Sequence, residues 1–400
     1  MRAEDFFNPE DTDFIIQIRR EIHKHPELKF DLPITLSVVR RELNKIGVQF
    51  TERYGKSSIV VTINPDCKGP TIGIRADMDA LPIQEKTGLP YSSVVPGVMH
   101  ACGHDCHTAM LLGTAKALKR AEHILKCRVK LIFQPCEEGP ELGSFPMVQD
   151  GVMDDIDYII ALHIWNKLDT GYVGVAIGEA MAACHSYEVE FFGKSAHSSM
   201  PHTGCDALAM AVTAYNSIYL FSSRRIPPLK KHTINFGCLH AGWTHNVMPD
   251  YAKMLFNFRW FDKDLNDQLD LGIREACESA ARLFGGTSKI TSLSEGKPVI
   301  NDEALARRII ESGKNVLGDG GVVILPPELS SEDFSEYLAK KPGVFIRLGS
   351  RNAMKGATTD AHNNDFTVDE DSFILGSKLC VQFVLDQSDK VNVASEGIKV

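Results

Sequence analysis

The sequence predicts an α/β fold: a domain with a central, mostly parallel sheet flanked by helices, interrupted by a smaller ferredoxin-like α+β domain. Two observations predict it. Short apolar, β-branched runs alternate with helix-length amphipathic segments at the start of the chain and again near its end, the pattern of a layered α/β domain. Between them, from about Ala182, the order changes to β-α-β-β-α-β, the split arrangement of a ferredoxin-like sandwich. The expected division is 1–181 with 296–400 for the larger, discontinuous domain and 182–295 for the insertion. At 400 residues the chain is long enough for two or three domains.

Each element has its own signal. Asp13 to His25 sets Phe14, Ile15, Ile18 and Ile22 on one helical face, and Pro26 stops it. A second amphipathic helix runs from Pro33 to Ile46 and ends at Gly47. Strands are expected at Ser58 to Ile63, Thr71 to Arg75, Val129 to Phe133 and Tyr158 to His163, with a helix from Thr108 to Leu125. The insertion reads as strand His185 to Phe192, helix Asp206 to Phe221, strands His232 to Leu239 and Tyr251 to Phe261, helix Leu265 to Phe284 and strand Ser288 to Leu293.

Composition excludes several classes of function. With 52 acidic and 43 basic side chains the net charge is −9, and no basic stripe is present to neutralise phosphates, so nucleic acid is not an expected partner. No run approaches 18 apolar residues, and Met1 to Phe6 lacks a basic region followed by an apolar one. Neither a membrane span nor a secretory signal is expected, which points to the cytoplasm. The ten cysteines include no CxxC pair and are expected to be reduced.

The densest chemistry is Met99-His100-Ala101-Cys102-Gly103-His104-Asp105-Cys106-His107, ahead of the helix at Thr108. Imidazoles, thiols and a carboxylate this close suit a borderline-soft cation such as zinc. Cys102 and His104 are expected in the loop, while Asp105 can cap the helix or orient a histidine. The competing reading is a chance cluster of buried imidazoles beside a helix cap. After the strand ending at Phe133 comes Gln134-Pro135-Cys136-Glu137-Glu138-Gly139. Paired carboxylates at a strand end divide labour in a metal hydrolase, one ligating and the other taking a proton, although Glu-Glu-Gly is commonly a solvated turn. Asp77-Met78-Asp79 closes another strand with both carboxylates turned to one side. His163 at a strand end and His362 in a late loop are structural histidines when taken singly, yet both belong to the same domain.

In this order the residues resemble the aminoacylase and carboxypeptidase-type metallopeptidases of family twenty. The nearest branch holds indole-acetyl-amino-acid hydrolases, hippurate hydrolases and N-acyl-amino-acid deacetylases. Arg20-Glu21-Ile22-His23-Lys24-His25-Pro26-Glu27, Arg75 to Pro82, Met99 to Gly113 and Ser331-Glu332-Asp333-Phe334 extend the likeness over nearly the whole chain. The resemblance implies a catalytic domain with two divalent ions, zinc or manganese, with cobalt or nickel also admissible. Their ligands would be Cys102, His104, Glu138, His163 and His362, with Cys102 in the bridging place that other branches give to an aspartate. Glu137 would be the general base, with Asp77 and Asp105 holding ligands in place. In the inserted lid or dimerisation domain, His197 would donate to the oxyanion, while Asn246 and Arg259 would grip the substrate carboxylate. Arg259 paired with an acidic neighbour is an equal alternative.

The implied substrate is a small N-acyl amino acid, and the implied assembly a homodimer or higher homo-oligomer through the insertion, with His197 serving its own or the partner's site. Asn166 stands where relatives often have proline. His185 and His240 also depart from the usual pattern, and the Gly193 to His197 segment is poorer in glycine. The alternatives from the residues are a dipeptidase or carboxypeptidase at the same site, a non-catalytic metal or ligand binder, and a Cys102 nucleophile with His104 as its base.

Overall fold

The computed structural model describes residues 1–139 and 141–396, with side chains through Asp389. The chain begins with helices α1 (Glu10–Lys24) and α2 (Pro33–Ile46), strands β1 (Phe50–Thr51), β2 (Ile59–Ile63) and β3 (Thr71–Asp77), and helix α3 (His104–Ala121). Strand β4 (Arg128–Gln134), short helix α4 (Ser144–Gln149) and strands β5 (Tyr158–Asp169), β6 (Val173–Val175) and β7 (Gly178–Met181) follow. Next come β8 (Ala183–Phe192), β9 (Ala196–His197), α5 (Ala207–Arg225), β10 (His232–Ala241), β11 (Val247–Met248), β12 (Tyr251–Trp260), α6 (Lys263–Leu283) and β13 (Thr287–Glu295). The chain ends through β14 (Val299–Asn301), α7 (Glu303–Leu317), β15 (Val322–Ile324), α8 (Ser335–Leu338), β16 (Gly343–Arg351) and α9 (Asp371–Glu396).

Two compact units result. The first comprises Met1–Ala180, Ile300–Pro326 and Asp333–Val400; the second Met181–Val299 and Pro327–Glu332. The short segment Pro327–Glu332 falls outside the expected 182–295. It belongs with the second unit because Ala182 N–H donates to the carbonyls of both Glu328 and Ser330.

The first unit is organised by an eight-stranded sheet in the order β1-β2-β4-β3-β5-β16-β6-β15. The pairs β4·β3, β3·β5, β5·β16 and β6·β15 are parallel. The pairs β1·β2, β2·β4 and β16·β6 are antiparallel. Strand β3 is buried at every position, as expected of a parallel strand covered on both faces. Its core includes Ile15, Ile18 and Ile22 of α1, Val39 and Leu43 of α2, and Leu112, Ala115 and Leu118 of α3. Helix α2 occupies the predicted span: Pro33 suits a first turn, and Gly47, at φ +79°, closes the helix with its N–H on Leu43 O. Register places Asp77 beside Gln134 at the ends of β3 and β4, whereas His163 lies midway along β5 beside Arg347 and not at the expected strand end, because β16 extends the pairing of β5 to Asp169.

The second unit has its own core, including Tyr187, Phe191, Met210, Phe258, Leu269 and Ile273. Its antiparallel sheet runs β10-β12-β8-β13, the ferredoxin-like order. Burial alternates residue by residue along β8 and β12, because helices α5 and α6 pack on the sheet. Asp206 caps α5 by accepting from Ala209 N–H at 3.1 Å, and Asp262 caps α6 through Asp264 N–H at 2.9 Å. No helix among the described residues is long and apolar enough to cross a membrane.

Candidate metal centre

Cys102 precedes α3, and Gly103 lets the chain enter the helix by taking φ +90° at the cap. His104 is therefore the first residue of α3, not a loop residue as expected. Glu137 and Glu138 follow β4, His163 lies on β5, and His362 sits in the loop after β16. These four segments bring their donors together. Cys102, His104 and His163 each offer an atom within 4.8 Å of the other two, and so do Cys102, Glu138 and His362. Cys102 is common to both groups. A third group is His104, Glu137 and Glu138.

Hydrogen bonding fixes which nitrogens face this centre. His163 Nδ1–H donates to Ile164 O at 2.7 Å, leaving the lone pair on Nε2, which lies 3.5 Å from Cys102 Sγ. His107 is engaged at both nitrogens: Nδ1–H donates to Asp77 at 2.5 Å and Nε2 accepts from Ile164 N–H at 3.0 Å. It ties Asp77 to β5 and has no lone pair left for a cation. Asp77 accepts from Arg75 at 2.6 Å, while Arg75 also donates to Gln134 at 2.8 Å and Asp333 at 2.7 Å. Burial alone would raise the Asp77 carboxyl, but His104, Arg75 and His107 outweigh it and hold it well below its ordinary value.

His104 is fully buried, and neither ring nitrogen has a hydrogen-bond partner among the described residues. Asp79 lies 3.4 Å from its Nδ1 and Asp77 3.8 Å from its Nε2. Burial disfavours the charged ring, yet Asp77 and Asp79 prevail and lift its pKa to about 10. A pocket that holds a proton this firmly also suits a metal cation, and a set of imidazoles, one thiol and one carboxylate fits a borderline-soft divalent ion. The Cys102 thiol is pushed well up by burial and then by Glu138, Glu137 and Asp77, so its thiolate needs cations nearby. None of the ten cysteines is in a disulfide.

Asp79 was visible in the sequence only as half of an Asp-x-Asp pair. Cys136 takes φ +50°, and the N–H groups of Glu137 and Glu138 then converge on Asp79, at 2.9 and 3.1 Å. One carboxylate thereby fixes both glutamates and borders His104. Of the two roles expected of Asp105, it takes the one of orienting a histidine, but that histidine is His23 and not one of the proposed ligands. Asp105 accepts from Arg19 at 2.8 Å and meets His23 Nδ1 at 2.7 Å, inside a buried cluster, and it does not cap α3. His100 is buried without hydrogen-bond partners among the described residues, and burial lowers its pKa to about 3. His362 adopts φ +65°, donates its N–H to Ala101 O at 2.7 Å and sets Nε2 3.0 Å from Glu138.

The remaining expected residues belong to the second unit. Pairing of β9 with β11 sets His197 opposite Val247, and Ser198 N–H donates to Asn246 O at 3.2 Å, so His197 and Asn246 share one ladder. His197 Nδ1 lies 2.7 Å from Ser199 Oγ. Arg259 Nη1 donates to the Leu329 carbonyl at 2.7 Å.

Residues 73–386 match the family model described as Peptidase family M20/M25/M40. The chain is 36% identical over 368 residues to "Thermostable carboxypeptidase 1" of Saccharolobus solfataricus, covering 91% of this chain and 93% of that protein. It is 35% identical over 386 residues to "N-acetyl-L-cysteine deacetylase" of Bacillus subtilis, covering 96% and 90%. The crystal structure of the Bacillus subtilis YXEP protein, described as a dinuclear metal-binding peptidase, superposes with a TM-score of 0.81 at 29% identity, covering 96% of this chain and 99% of that one.

Proposed function

The chain belongs to peptidase family M20/M25/M40, and from that premise we propose that it is a dinuclear metal-dependent amidohydrolase of N-acyl amino acids. The products would be a carboxylate and a free amino acid. One observation carries the reading: two three-donor groups meet at a single shared sulfur, that of Cys102. His104 and His163 would complete one ion's protein ligands, Glu138 and His362 the other's. When bound, the two ions supply Lewis-acid polarisation of the amide carbonyl and acidify the attacking water. The chain does the rest. Glu137 takes that water's proton and passes it to the departing nitrogen. Asp79 keeps Glu137 and Glu138 in register, and Asp77 with His107 braces the middle of β5, next to His163.

His197 would donate to the oxyanion, and Asn246 and Arg259 would hold the substrate carboxylate. Arg259 already uses one N–H on a backbone carbonyl, which leaves a guanidinium with further donors. A homodimer through the second unit is supported by its exposed apolar side chains, among them Leu208, Val212 and Leu220 of α5, and by the sheet edge at β10.

A carboxypeptidase using the same centre is the second reading, favoured by the carboxypeptidase relative. Metal analysis of chelator-free protein, read with rates on N-acetyl, N-benzoyl and aminoacyl conjugates, decides between them. Two ions per chain with preference for the N-acyl amino acids is the expected result. Preference for unblocked peptides would favour the second reading, and no metal-dependent amide hydrolysis would refute both.

A further inference from the structure

Asn166 lies on β5, three residues beyond His163, and is buried at 6% exposure. Its side-chain nitrogen donates to Thr359 O and to Thr367 O, both at 2.7 Å. Its side-chain oxygen accepts from Ser350 Oγ of β16 at 2.6 Å. The orientation of the amide follows from its partners: two carbonyls can only accept, so the NH2 must face them, and both of its hydrogens are used. Thr359 and Thr367 stand on opposite arms of the loop that carries His362.

That loop has no helix or strand of its own between residues 358 and 370. Its tip is held by the N–H of His362 on Ala101 O at 2.7 Å, and by Lys86 N–H on Asn364 O at 2.7 Å. Its outer neck is tied by Asn352 and Lys355 on Asp369, at 2.8 and 2.7 Å, and by Thr367 Oγ1–H on Gly356 O at 3.3 Å, while the Asn166 amide is the group that bonds Thr359 and Thr367 together. We propose that Asn166 is a positioning residue that clamps both arms of this loop and so presents His362 to Glu138 and Cys102. The single amide links β5, which bears His163, to the segment bearing His362, so two of the centre's three histidines are referenced to one strand. Fixing a ligand by a buried donor behind it sets metal affinity without any contact to the metal.

The clamp itself is independent of metal, whereas its consequence for an ion rests on the proposed ligand role of His362. The decisive variant is Asn166→Asp, which keeps the shape and removes both donors. Hydrogen exchange of amides 358–368 in chelated, metal-free protein should speed up by about 10-fold or more, with other strands unchanged. Stepwise manganese titration should show one of two ions weakened about 10- to 100-fold and the other retained. Ser350→Ala, which leaves the donors but frees the acceptor side, should give a smaller change in the same readouts and covers the case in which Asn166→Asp does not fold.

Wild-type exchange in 358–368 for whichever of these variants folds overturns the clamp. If exchange rises but His362→Ala and Asn166→Asp both keep two ions at wild-type affinity, the clamp stands and the assignment of His362 as a ligand falls.

Discussion

Glu137 and Glu138 are neighbours in the chain, yet the turn at Cys136 and the grip of Asp79 send one toward His104 and the other toward His362. Glu137→Gln should lower kcat by about 100-fold or more while leaving metal content intact, as read by elemental analysis beside turnover. Near-normal turnover would remove Glu137 from proton transfer. His104 predicts a pH dependence. Its folded pKa near 10 stands above the ordinary 6.5, so in metal-free protein its proton adds stability that is full below about 6.5 and is lost as pH rises through about 10. A metal binds the neutral ring and must displace that proton. The rise in melting temperature on adding manganese should therefore grow from about pH 6.5 toward about pH 9, and a rise that shrinks over this range would contradict it. The five candidate donors were legible because clustered imidazoles and thiols and a paired carboxylate occur in a known order along the chain. The roles of Asp79 and His107 were not, since each depends on which atom of a distant segment it meets.

At the scale of elements, the start of α3 decides how Cys102 and His104 diverge. A Cβ on Gly103 would lie 2.1 Å from Ile164 Cδ1, at a backbone φ of +90° that side chains resist. Gly103→Ala should thus destabilise the protein by about 1–2 kcal/mol or more and weaken metal binding, because Ile164 follows His163. A melting curve and a metal titration check both halves. The six elements of the insertion were legible in order and nearly in extent, since period-2 and period-3.6 patterns are strong there. Strand β5 was not: it continues through Trp165 and Asn166 to Asp169, where polar residues conceal a strand that exists because β16 pairs with it. The placement of Pro327–Glu332 was equally hidden, because it rests on three carbonyls, those of Glu328, Leu329 and Ser330, and not on side-chain pattern.

For the whole molecule, two separate hydrophobic cores predict two responses to chelation. All five proposed ligands lie in the first unit, so calorimetry of chelated protein should show its transition moved down and that of the second unit unmoved. A uniform shift of one single transition would show instead that the two unfold together. The first unit is also discontinuous, and that has a consequence in time. During synthesis Cys102, His104, Glu138 and His163 all emerge before the second unit is made, whereas His362 emerges only after it. A nascent chain thus holds all three donors of one group and two of the three of the other through the whole interval in which the insertion is translated. On the proposed ligand set, full two-ion loading would be a late event of maturation, and a ribosome stalled before position 362 should display a protein able to take only its first ion.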